Sequence, residues 1–129
     1  MQIDLFQGGA KRAQLARERA LQERVTALKQ VTSDGIRLEV RRAYYNLDSA
    51  RQELEVARAV IAQAQNNLRI NQDRYDEGLT TVTDLLGAEE ATRRSQTDYW
   101  GAVYRFHTSY ASLELASGTL NIQSPAVMP

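Results

Sequence analysis

The stretch RYDEGLTTVTDLL, Arg74 to Leu86, decides the fold, because it places a glycine, three threonines and three acids inside a chain otherwise rich in helix-forming residues. Gly78 offers the backbone freedom a reversal requires. Thr80, Thr81 and Thr83 offer hydroxyls to the exposed amides of a starting helix. Thr81 and Asp84 have the spacing of a capping box, and Asp84 would lie at the positive end of the helix that follows. The stretch reads as a tip between two helices, about residues 76–82.

Upstream of the tip, good helix formers run from Ala10 onward, and proline occurs only at Pro125 and Pro129. The first helix is expected over about residues 9–75, which at 1.5 Å per residue would be on the order of 100 Å long. A helix of that length needs a lengthwise partner. Val40, Leu47, Leu54, Ile61, Leu68 and Tyr75 recur every seventh residue. Ala43, Ala50, Ala57, Ala64 and Asn71 follow the first five of them by three places. A large rung alternates with a small one, a close-packing form of the heptad.

Downstream the pattern returns. Leu85, Thr92, Tyr99, Phe106, Leu113 and Leu120 stand at sevens, with Ala88, Ser95, Ala102, Ser109 and Ala116 between them. The return helix is expected over about 83–117, closed by the glycine of SGT, with a tail over 118–129. The fold class is therefore all-α, a long antiparallel coiled-coil hairpin. Folding at the tip brings Leu68 near Thr92, Ile61 near Tyr99 and Leu54 near Phe106. Residues before Val40 lack an in-chain partner, and Leu21, Val25, Leu28, Thr32, Ile36 and Val40 depart from a strict seven. Gly35 weakens the helix at that junction. Tyr44, Tyr45, Trp100, Tyr104 and Tyr110 lie partly off the seam and point to a second covered surface on each helix, which a homodimeric four-helix bundle would also supply.

Composition narrows the function classes. The 129 residues carry sixteen basic and sixteen acidic side chains, so no global charge draws the chain to nucleic acid or to an anionic membrane surface. Charge is unevenly distributed, with basic residues in excess before residue 30 and acids crowding the tip. Absent cysteine rules out disulfides, thiolate nucleophiles and sulfur-ligated zinc. No phosphate loop, metal-ligand spacing or nucleophile elbow occurs. His107, the sole histidine, sits beside Phe106 as a packing or flanking residue. Glu53 with Glu55, and Glu89 with Glu90, are spaced too closely to share one helical face and read as solvated charge. The chain is not expected to be an enzyme and no cofactor is implied. Met1 is followed by Gln, Ile and Asp rather than by a basic segment and an apolar run, so no signal peptide is expected, and if the natural protein is exported or membrane-bound this chain is expected to be a piece of it.

The run IDLFQGG leading into an Ala- and Arg-rich helix, the tip RYDEGLTTVTDLLGAEEATRRSQTDY and the closing LELASGTLN together resemble the second half of a TolC-type outer-membrane efflux protein, over residues 2 to about 122. The resemblance implies a homotrimer whose barrel in the outer membrane continues into a periplasmic α-helical tunnel. Residues 1–8 would be the stub of a barrel strand, and the two helices a wall segment. It implies a passive exit duct for multidrug efflux or type I protein secretion, coupled by a periplasmic adaptor to an inner-membrane pump or ABC transporter. Glu77, Gly78 and Leu79 occupy the adaptor-docking motif, with Glu77 departing from the family's valine. Tyr75, Thr80 and Asp84 align with gate and pore-lining positions. Thr80 replaces an arginine, and Gly87 a second pore aspartate. Tyr75 fits both heptad packing and gating; Asp84 fits both capping and pore lining. The competing class is a structural or adaptor-type hairpin that acts only through protein contacts.

Overall fold

The computed structural model describes residues 9–121 and 123–124. The barrel-strand stub expected over residues 1–8 lies outside them, as do Ile122 and the tail beyond Ser124. Two helices account for the described chain: α1, Ala10–Asp76, and α2, Val82–Ser117. Each expected boundary is met within one residue. Gly35 does not interrupt α1. Its roughly 1 kcal/mol propensity cost is small beside a run of alanine, glutamine, arginine and glutamate on both sides.

The chain divides into two compact units after Glu39. In the first, α1 has no partner among the described residues. Leu21, Val25, Leu28, Val31 and Ile36 are all exposed, Val25 and Leu28 each 64%. That agrees with the loss of the seven-residue repeat before Val40.

In the second unit α1 and α2 pack along the seam the heptads predict. Every rung from Val40 to Asn71 on α1, and from Leu85 to Ala116 on α2, is buried or half-buried. The small side chains of the seam are the most deeply covered: Ala43, Ala50, Ala88, Ser95 and Ala102, with Thr92 at a large-rung position, are buried, Ala102 at 1% exposure. The reason is geometric. Small side chains let two helices approach closely, whereas a two-helix surface cannot enclose a leucine or phenylalanine on all sides. Leu47, Leu54, Ile61, Leu68 and Phe106 are accordingly half-buried. The Thr92 hydroxyl sets the register by donating both to the Ala88 carbonyl of its own helix (2.9 Å) and across the seam to that of Ala64 (3.2 Å). The seam ends earlier than the repeat alone predicts. Tyr75, in the last turn of α1, is 42% exposed, and Leu120, beyond the end of α2, 38%. The second covered surface is also not formed within one chain: Tyr44, Tyr45, Trp100 and Tyr104 are exposed, and only Tyr110, stacked on Phe106, is half-buried.

Both helices end alike. At the tip, Gly78 adopts φ 73° while its N–H donates to Tyr75 O (2.9 Å) and that of Leu79 to Arg74 O (2.8 Å). At the close of α2, Gly118 adopts φ 73° with Gly118 N–H on Leu115 O (3.1 Å) and Thr119 N–H on Glu114 O (2.8 Å). Each is a Schellman closure, in which a left-handed glycine lets two trailing amides satisfy the last carbonyls.

Candidate functional site

The tip follows from that closure. Thr81 caps α2 in an extended conformation, and its Oγ1 accepts from Asp84 N–H (3.2 Å). Asp84 Oδ2 accepts three bonds in return: from the Thr81 amide (3.2 Å), the Thr81 hydroxyl (2.6 Å) and the Thr80 hydroxyl (3.1 Å). The capping box read from the sequence is therefore present, and Thr80 adds a third donor to it. The Thr81 hydroxyl, the Thr81 amide and the Thr80 hydroxyl, in that order, hold the Asp84 carboxyl below the ordinary aspartate range, and the charge of Arg74 adds to this.

Glu77, Gly78 and Leu79 form the outermost bend. Glu77 is exposed, with its N–H donated to Asp73 O (3.2 Å), and Leu79 is 64% exposed. A large aliphatic side chain is thus held in water by an ordered turn. Val82 and Leu86, 54% and 57% exposed, extend the apolar surface onto the first turns of α2. Tyr75 is exposed just beyond the seam rather than locked within it.

One cross-helix feature escaped the sequence reading. Glu53, taken there as solvated charge, forms a fork with Arg105 of α2: Nε to Oε2 at 2.9 Å and Nη2 to Oε1 at 2.6 Å. The signal was available. Glu53 and Arg105 each immediately precede a large rung, Leu54 and Phe106, and in an antiparallel pair those positions flank the same side of the seam. Arg74 and Asp84 precede Tyr75 and Leu85 and belong to that side too. Glu90, by contrast, pairs along its own helix with Arg93, which lowers its pKa. His107 is exposed and meets the Phe106 ring edge-on. Among the described residues no group of acids and histidines could hold a metal, and no helix is long and apolar enough to cross a membrane.

The two-helix hairpin is consistent with the resemblance, and comparison with protein families decides the matter: the family model described as outer membrane efflux protein matches residues 1–119. The chain belongs to the outer membrane efflux protein family. No curated protein matches it. Outer membrane efflux proteins are channel proteins of the outer membrane rather than enzymes, and they generally work with adaptor proteins and inner-membrane pumps. The Ala- and Ser-lined seam and the tip are thus the parts of an efflux protein that this hairpin contributes.

Proposed function

We propose that the hairpin is a wall segment of the periplasmic tunnel in a homotrimeric outer-membrane duct, serving multidrug efflux or type I protein secretion. The tip docks the periplasmic adaptor that couples the duct to an inner-membrane pump or ABC transporter. In this reading Glu77, Gly78 and Leu79 make the adaptor contact, while Tyr75, Thr80 and Asp84 line the tunnel entrance.

The observation that carries the proposal is the tip itself. The turn is fixed from both sides, by the Gly78 closure and by the Thr81–Asp84 box, yet it presents Leu79 to solvent. An ordered turn holding out an aliphatic side chain suits docking, since little conformational entropy remains to be lost on binding. The half-buried large rungs further support a wall in which each hairpin gains neighbours.

Site-directed crosslinking in the complete channel tests it. Glu77→Cys, Leu79→Cys and Val82→Cys are each paired with cysteines at the hairpin end of the adaptor. Crosslinks from Leu79→Cys and its neighbours are expected, with none from Ser49→Cys, far up α1. Crosslinking absent from all three tip positions would overturn adaptor docking.

A further inference from the structure

The rungs of the seam do not by themselves fix which level of α1 meets which level of α2. Both helices repeat every seven residues, so a slip of seven, about 10 Å along the axis, leaves large-rung positions facing large and small facing small. The Gly78 closure and the Thr92 bond act against such a slip. A further constraint lies beside the seam, in the residues that immediately precede the large rungs. Glu53 and Arg105 form the two-bond fork. Val60 and Asp98 line one groove together, and Asn67 and Ala91 another. Arg74 lies within range of the Asp84 charge. These pairs obey one rule: each step of seven towards the tip on α1 is matched by a step of seven towards the tip on α2. The charged pairs close the series at both ends with opposite polarity, the acid on α1 in the first and on α2 in the last. The other flank of the seam, which carries Arg51, Arg58 and Glu89, has no cross-helix ion pair among the described residues.

Asp98 enters twice. It stands one heptad from Arg105 on α2, and its charge adds to the bonds and charge of Glu53 in keeping the guanidinium protonated. The guanidinium lies back over Gly101, where a Cβ would meet Arg105 Nη1 at 3.5 Å, and so sits on the Asp98 side of its own Cα. In a slip of one heptad Asp98, not Arg105, would stand opposite Glu53, carboxylate against carboxylate. In the opposite slip Glu53 would face Ser112 and Arg74 would face Ala91, and both charged pairs would be lost.

We propose that these flanking charges are the register code of the hairpin. Glu53 with Arg105 and Arg74 with Asp84 favour the one alignment in which both pairs form, while Asp98 orients Arg105 and repels Glu53 in the nearest wrong alignment. Charge pairs beside an apolar seam select alignment in this way even where, being exposed, they add little to stability. The code concerns the pairing of α1 with α2 and does not depend on the adaptor contact.

Thiol pairs placed in the cysteine-free 129-residue chain test it. Asn67→Cys with Ala91→Cys reports the observed alignment, and Val60→Cys with Ala91→Cys the slipped one that sets Asp98 against Glu53. The equilibrium of each intrachain disulfide with glutathione gives the effective concentration of the pair. Arg105→Glu is expected to lower the value for positions 67 and 91 about two- to fivefold at low salt, the range open to an exposed ion pair, and high salt to remove the difference. Glu53→Arg combined with Arg105→Glu restores it in part and raises the value for positions 60 and 91, because the cation at position 53 is now drawn to Asp98. Adding Asp98→Asn completes the recovery. An unchanged value in Arg105→Glu, or a loss that neither the reversed pair nor salt relieves, overturns the code. Full recovery by the reversed pair with Asp98 still in place overturns the role given to Asp98.

Discussion

At the scale of single residues, the tip depends on how many bonds one carboxylate oxygen can accept. Asp84 Oδ2 takes three, and Thr81 is a partner in two of them. Thr81→Ala removes the cap of α2 and is expected to cost about 1 kcal/mol, read as a lower denaturant midpoint with an unchanged slope. The same bonds predict the pH dependence. Because the folded-state pKa of Asp84 is lowered from its ordinary 3.8, its contribution is complete above that value and is lost as pH falls through the lower folded pKa. The stability difference between the natural chain and Asp84→Asn should therefore hold at neutral pH and shrink under acid. A difference that grows on acidification would contradict the network. Most of this was legible in the sequence, since the capping box depends on three-residue spacing alone. The Thr80 bond was not, because it depends on how the Gly78 turn aims a neighbouring hydroxyl.

At the scale of the helix, the seam is governed by its small residues. Ala102 is the most buried side chain of the pair, so Ala102→Leu must push the helices apart and should cost about 1–3 kcal/mol by overpacking. The two units predict opposite responses to one substitution. Leu54→Ala, on the seam, is expected to cost about 2 kcal/mol or more, while Leu28→Ala, in the unpartnered part of α1, should stay within about 0.5 kcal/mol in the monomer. Urea titration of both variants at low concentration checks this. Helix limits and the seam were readable because periodicity, capping and glycine closure are local and agree with one another. The end of the seam at Asn71 was not, because the repeat continues formally to Tyr75, still within α1, where the side chain is nonetheless exposed.

At the scale of the whole molecule, the fold rests on seven-residue repeats on both sides of one glycine turn, and the family membership on the match to the outer membrane efflux protein family over residues 1–119. The cross-helix fork of Glu53 with Arg105 shows where sequence reading fell short. Neither residue is unusual by composition, and only antiparallel pairing makes them partners. The large rungs stay half-buried because two helices cannot surround them, which favours the proposal that the hairpin is part of a wall. The account stands on the two helices folding back on each other within one chain. Spin labels at Gln52 and Tyr104, measured by pulsed electron resonance with labelled chains diluted in unlabelled ones, test that directly. Outward, exposed positions at one level on adjacent helices, whose axes lie about 8–10 Å apart, should give a short distance distribution. A distance approaching the roughly 78 Å expected if those 52 residues formed one uninterrupted helix would contradict the hairpin and everything built on it.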